Sequence, residues 1–196
     1  MSLAKIIGLT GNIGSGKSTV SMLFELNHWP VFNADNASKL ILKENNSVIE
    51  KINDLFGEDI LDQAKKIDNK KLAQIVFSHN DKLNLLNSIL HPEVKKLFHR
   101  WHEAQKVNYV VRESALLFET GIAIESFKNI TVSCPFEIRL QRALKRDDTN
   151  EQQIIDRENK QLSEIEKIKR SDFTIENYKE PLIPQVLSII EQISKI

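Results

Sequence analysis

The sequence predicts an α/β protein built on a parallel β-sheet. Short apolar runs alternate with helix-patterned segments, and the first run ends in a glycine-rich stretch that opens a helix. A single long helix-rich block interrupts the alternation after the second strand. The first strand is "AKIIGLTG", an apolar run of the kind found in strands buried on both faces. Beyond the glycine-rich stretch, Val20, Leu23, Phe24 and Leu26 mark a helix that ends before Pro30, and "PVFNAD" is the second strand.

Residues 36–105 are rich in Lys and Asn and carry no clear strand. Within them Leu83, Leu86, Ile89, Leu90, Val94, Leu97, Phe98 and Trp101 recur at helical spacing. Pro92 falls inside that pattern and is expected to kink or break it near His91, because it lacks an N–H and clashes with the preceding turn. Strands return with "VNYVVRES" and "NITVSC". Pro135 is expected to open the next helix, at a position where its missing N–H costs nothing. "EIRLQRALKRDD" and "NEQQIIDRENKQLSEIEKIKR" read as charged helices, "SDFTIEN" as a last strand. Leu182, Ile183, Val186, Leu187, Ile190 and Ile193 form the stripe of a closing amphipathic helix. The organisation expected is one domain over 1–196, with a core of about 1–35 and 107–196 and a helical subdomain of about 36–105.

At 196 residues, 41% of them hydrophobic, the chain is long enough for one domain with a real core. Its 27 basic and 27 acidic residues cancel, which argues against a nucleic-acid partner. A lone cysteine, Cys134, excludes an internal disulfide and fits a reducing compartment. No apolar run approaches the ~18 to 20 residues of a membrane span, and the N-terminus lacks a signal-peptide pattern. The expectation is a cytoplasmic protein without a membrane partner, a monomer or small homo-oligomer.

Gly11–Ser18 matches G-x-x-x-x-G-K-[ST] between a strand and a helix, the setting that gives the motif its meaning. Gly11, Gly14 and Gly16 permit turns that aim successive N–H groups at phosphate oxygens, so the cradle comprises Gly11, Asn12, Ile13, Gly14, Ser15, Gly16, Lys17, Ser18 and Thr19. The following helix adds its positive end. Lys17 is placed to reach the β- and γ-phosphates of a nucleotide, and the Ser18 hydroxyl to ligate Mg²⁺. The guanine-reading N-K-x-D and the D-x-x-G switch of GTPases do not stand in their usual contexts, and motors and helicases need a longer chain. A short chain with a helical insertion after the second strand suits a small-molecule kinase.

A kinase must also remove a proton from its acceptor. Asp35, at the exit of the second strand, either does this or caps the next helix. Arg139, Arg142 and Arg146 share one helix face, with Arg157 shortly after. They form either a solvated face paired with Asp147, Asp148 and Glu151 or a lid, about 139–165, that brings positive charge to the transferring phosphoryl group. Glu113 is either a carboxylate contacting Mg²⁺ through water or an ordinary strand-end acid. His91 reads as a core or hinge histidine or as a ligand contact. His99 and His102 lack a third metal ligand, and Cys134 reads as a small buried apolar residue.

Taken together, these residues resemble the dephospho-CoA kinase family. The likeness extends from "IGLTGNIGSGKSTV" to "TIEN", through "VFNAD", "LFGEDIL", "ILHPEV", "ESALLFETG", "RALKRD" and "RENKQ". It implies a P-loop fold like that of nucleoside monophosphate kinases: three layers, a five-stranded parallel sheet, a helical acceptor-binding insertion and a mobile lid. It implies transfer of the ATP γ-phosphoryl group to the ribose 3′-hydroxyl of dephospho-CoA, with Mg²⁺. By position, Asp35 falls on the family's catalytic base, and Arg142 and Arg146 on the lid over the phosphates. His91 and Pro92 match a His-Pro of the acceptor-binding part, and Asn177 matches an Asn near the adenine of ATP. Asn12 stands where the family has Gly, Asn33 replaces the first acid of Asp-Ala-Asp, Glu113 stands for Asp and Ala115 for Pro, and no Gly follows "IEN". The alternatives are a kinase of a nucleoside monophosphate or sugar acid, and a non-catalytic nucleotide-binding regulatory module.

Overall fold

The computed structural model describes residues 3–57, 60–77, 79–146 and 149–196. Five strands, β1 (Lys5–Thr10), β2 (Val31–Asn33), β3 (Tyr109–Glu113), β4 (Lys128–Ser133) and β5 (Phe173–Glu176), form one sheet in the order β2-β3-β1-β4-β5. Every pairing is parallel, with Ile7 opposite Val111 on one side of β1 and Leu9 opposite Ile130 on the other. The strands coincide with the five apolar runs read from the sequence. Around them lie helices α1 (Lys17–Leu26), α2 (Ala34–Glu44), α3 (Asn46–Phe56), α4 (Asn69–Phe77), α5 (Asn80–Glu103), α6 (Phe136–Arg146), α7 (Glu151–Glu158), α8 (Glu164–Arg170) and α9 (Leu182–Ser194). None is long and apolar enough to cross a membrane among the described residues.

The molecule divides into two compact units. One runs to Asn33 and resumes at Ala104–Ile196, and contains the sheet; the other, Ala34–Glu103, contains α2 to α5. In the sheet unit, Val110 and Val111 point to opposite faces yet are both fully buried, which is why its strands read as continuous apolar runs. On one face Ile7, Leu9, Val111, Ile130, Val132 and Ile175 pack with Val20 and Phe24 of α1 and with Val186, Ile189 and Ile193 of α9. Each such side chain contributes about 1.5–3 kcal/mol over its exposed state. Trp29 stacks between Phe24 and Tyr109, and the Tyr109 hydroxyl donates to the Ile193 carbonyl at 3.1 Å. The other face carries α8: Thr131, which alternates with the buried Ile130 and Val132, shares a 2.6 Å hydrogen bond with Ser171 just beyond that helix.

Pro135 opens α6 as expected, standing just before Phe136 with its carbonyl accepting from the amides of Ile138 and Arg139. One sequence expectation changes here. The charged stretch at 150–170 is two helices, each begun by a side-chain cap: Asn150 accepts from the Gln153 amide and Ser163 from the Glu166 amide.

The helical unit has its own core, in which Ile41, Val48, Ile49, Ile52, Ile60, Ile67, Leu72, Val76, Leu86 and Leu90 meet. Asn45 caps α3 by accepting from the Val48 amide at 3.2 Å. Glu58 and Asp59, within the "LFGEDIL" segment, lie outside the described residues. Of the kink or break expected at Pro92, the break does not occur: α5 continues through it from Asn80 to Glu103. Burial of Leu86 and Leu90 before the proline and of Phe98 after it keeps both halves helical despite the lost bond.

That continuity has a measurable cost. The N–H that Pro92 lacks would donate to the Ser88 carbonyl. Pro92→Ala is expected to raise stability by on the order of 1–3 kcal/mol, read from the denaturant midpoint. A midpoint equal to the parent's would mean that α5 bends enough there to relieve the clash.

Candidate active site

The loop between β1 and α1 is shaped by two glycines held in left-handed backbone. Gly14 has φ 77° and Gly16 φ 89°. At Gly14 a Cβ would stand 2.3 Å from the Arg139 carbonyl oxygen, so α6 packs on the loop by backbone contact. At Gly16 it would stand 2.0 Å from the Asn177 Nδ2, so Asn177 lies directly over the loop's exit into α1. Asn177 donates from Nδ2 to the Ser15 carbonyl at 2.8 Å, while its own amide donates to the Ser133 carbonyl at 2.8 Å. Inside the loop, the Ser15 amide donates to the Asn12 carbonyl at 3.1 Å and the Lys17 Nζ to the Gly11 carbonyl at 2.8 Å.

Lys17, Ser18 and Thr19 open α1; the Thr19 amide donates to the Gly16 carbonyl at 3.0 Å, and a helix start of this kind suits an anion. Ser18 and Thr19 are exposed there. An exposed hydroxyl at this turn suits Mg²⁺, a hard cation that takes one or two protein oxygens and completes its shell with water and phosphate. Among the described residues no cluster of three or more His, Cys, Asp or Glu could hold a metal ion.

Arg142 borders the loop from α6. Its Nη2 donates to the Asn177 carbonyl at 3.1 Å and its Nη1 to the Cys134 Sγ at 3.4 Å. Its Nη1 would be 3.9 Å from a Cβ at Gly16, which puts the guanidinium beside the helix start. Cys134 is buried, and burial pushes its thiol pKa up, against the pull of Arg142. Arg146, the last residue of α6, is exposed; Asp147 and Asp148, expected partners of this arginine face, lie outside the described residues. Arg139 turns inward and is 4% exposed, forming a two-pronged pair with Glu158 at 2.7 and 2.8 Å. Glu164, at the start of α8, accepts from the Ser133 hydroxyl at 2.9 Å and from the Cys134 amide at 3.0 Å, closing the end of β4.

Glu113 ends β3, is 5% exposed, and accepts at Oε2 from the Ser21 hydroxyl at 2.7 Å and from Asn33 Nδ2 at 2.9 Å. Its carboxylate therefore ties the carboxyl ends of β2 and β3 to α1. Asn33 supplies an amide donor where a second acid would repel.

Asp35 and His91 belong to the helical unit. Asp35 is the second residue of α2, inside its first turn, so it is not the cap. His91 stands exposed in the middle of α5, though desolvation of its ring lowers its pKa and favours the neutral imidazole. His102 is buried and stacks on Phe98, with 5.4 Å between ring centroids.

Glu158, Gln161 and Glu164, to which the sequence attaches no role, hold the loop's surroundings together. The quoted segment "RENKQ" contains two of them, and only the fold pairs Glu158 with Arg139.

A phosphate-binding loop at the carboxyl end of a central parallel strand, braced by arginines from a following helix, defines a P-loop kinase fold. A shikimate kinase from Acinetobacter baumannii shares that fold, with a TM-score of 0.52 at 14% identity over 98% of this chain and 94% of its own. The family model described as dephospho-CoA kinase matches residues 5–181. A dephospho-CoA kinase from Bacteroides fragilis is 38% identical over 186 residues, 94% of this chain and 90% of that protein. One from Fusobacterium nucleatum is 41% identical over 172 residues, 88% and 89% of the two chains. Among solved structures, a dephospho-CoA kinase from Campylobacter jejuni matches with a TM-score of 0.64 at 28% identity over the whole of both chains. The chain belongs to the dephospho-CoA kinase family.

The contact at Gly14 gives a direct test of the loop. Gly14→Ala combines left-handed backbone, about 1–2 kcal/mol for a residue with a Cβ, with a clash against a helix backbone. It is expected to weaken ADP binding at least about tenfold, where tenfold is ~1.4 kcal/mol, in a protein whose circular dichroism stays native. A calorimetric affinity within twofold of the parent would show that α6 yields.

Proposed function

We propose that the chain transfers the γ-phosphoryl group of ATP to the ribose 3′-hydroxyl of dephospho-CoA, giving CoA and ADP. The observation that carries this reading is a family match spanning residues 5–181 together with a braced phosphate loop at the end of β1. The loop amides and the start of α1 hold the nucleotide phosphates. Lys17 exchanges the Gly11 carbonyl for the β- and γ-phosphates, following charge that spreads over the transferring group. Arg142 and Arg146 add positive charge from α6. Ser18 would hold Mg²⁺, which would neutralise charge on the phosphates.

Asp35 accepts the proton of the 3′-hydroxyl as that oxygen bonds to the γ-phosphorus and the β–γ bridging oxygen leaves with ADP. His91, whose pKa desolvation lowers, contacts the acceptor, and Glu113 supports the acceptor side through Asn33. Asn177, set on Ser15 and beside Arg142, borders the adenine. The enzyme works in the cytoplasm.

The test is ADP release by the pure protein with ATP and Mg²⁺ against dephospho-CoA, nucleoside monophosphates and a sugar acid. Turnover confined to dephospho-CoA is expected; stimulation by another acceptor alone, or by none, rejects the reading. Asp35→Asn is expected to lower turnover with dephospho-CoA by about 10²- to 10⁴-fold at nearly unchanged ATP affinity. Near-parental turnover would remove Asp35 as the base.

A further inference from the structure

Three polar side chains hold the first half of the phosphate loop from outside. Asn12 is 1% exposed, and its Nδ2 donates both to Glu158 Oε1 at 3.0 Å and to the Leu162 carbonyl at 3.1 Å. The Ile13 amide donates to Gln161 Oε1 at 3.0 Å. The Ile13 carbonyl accepts from Arg139 Nη1 at 3.2 Å, and the same guanidinium is locked on Glu158 and on the Cys134 carbonyl. Both polar groups of residue 13 thus bond to α6 or to the segment between α7 and α8.

Peptide geometry turns this bracing into function. In a trans peptide the C=O and the next residue's N–H point in opposite directions. A donor that draws the Ile13 carbonyl outward therefore aims the Gly14 N–H toward the concave side of the loop. Asn177 does the same two residues later: by drawing the Ser15 carbonyl outward it aims the Gly16 N–H inward. The loop's glycines allow many arrangements, so side chains outside it must choose the one with its amides converging. Asn12 Oδ1 is buried without a partner among the described residues, so its amide is oriented by the two acceptors facing Nδ2.

We infer that Arg139, Glu158 and Asn12 form a clasp that presets the phosphate loop for the nucleotide: positioning residues that act through the Ile13 peptide. Their pairing accounts for Asn12, the departure from glycine noted in the sequence. At this position a side chain is used, since it reaches Glu158 and the Leu162 carbonyl, which glycine cannot. Arg139, Glu158 and Leu162 all lie within 139–165, so the clasp joins the phosphate loop to the expected lid segment itself. The inference rests on the kinase reading for its kinetic arm only.

The test uses Asn12→Gly and Glu158→Gln in the full chain, singly and together. Asn12→Gly removes the buried donor without touching Arg139, and keeps the test decisive if Glu158→Gln folds poorly. ADP affinity by calorimetry, KM for ATP, KM for dephospho-CoA and kcat are measured, with circular dichroism reporting the folded fraction. Each single change is expected to raise the ADP Kd and the ATP KM by about 5- to 30-fold, the scale of one or two lost hydrogen bonds. The dephospho-CoA KM should stay within twofold, and the double variant should lose less than the product of the singles. ADP affinity and ATP KM within twofold of the parent in folded Asn12→Gly overturn the clasp, as does an equal rise in both KM values. Should the parent bind ADP but ignore dephospho-CoA, the kinase reading fails, while the ADP affinities still decide the clasp.

Discussion

All five strands run the same way, and the rest of the molecule answers to that constraint. Parallel strands deliver their carboxyl ends to one edge of the sheet, where open α/β folds place their ligands. β1 delivers the phosphate loop there, β3 delivers Glu113, β4 delivers Ser133 and Cys134, and β5 delivers Asn177. Asn177 bonds to Ser15 across 162 residues of chain because β4, between their strands, sets both at one height.

That edge is crowded with carbonyls that no regular ladder can satisfy, and buried cations serve them. Arg139 donates to the carbonyls of Ile13 and Cys134. Lys167, fully buried on α8, donates to the Ala115 carbonyl at 2.6 Å and pairs with Glu119 at 3.1 Å. Glu119 in turn accepts from the amide of Leu162 at 2.7 Å, the same residue whose carbonyl holds Asn12. Desolvating such charges costs several kcal/mol each, so ion pairs of this kind are weak evidence for stability. Their effect lies in geometry: each binds a carbonyl in a loop whose backbone would otherwise be free to turn.

The fold was largely legible in the sequence because buried parallel strands need apolar residues on both faces, and Gly11–Ser18 needs its glycines in order. The helical block was legible from its spacing, but spacing alone did not tell that α5 runs on through Pro92, where packing on both sides outweighs one lost hydrogen bond. The arginine face was half legible. A period of three or four residues put Arg139, Arg142 and Arg146 on a common side, but it could not tell that Arg139 points into the protein while Arg146 stays exposed. Burial of a charge depends on a partner, and Glu158 lies on another helix.

By itself the sequence determined the strand order along the chain, the anion-binding turn at the start of α1 and the family whose chemistry the turn serves. These follow from local rules: side-chain period, backbone freedom at glycine and the fixed spacing of a motif. Only the tertiary structure decided which side chains hold the turn in shape. Asn12 reads in the sequence as an irregularity within a glycine loop. In the fold its amide meets Glu158 and the Leu162 carbonyl, because hydrogen bonds between distant segments exist only once the sheet has brought those segments to one edge.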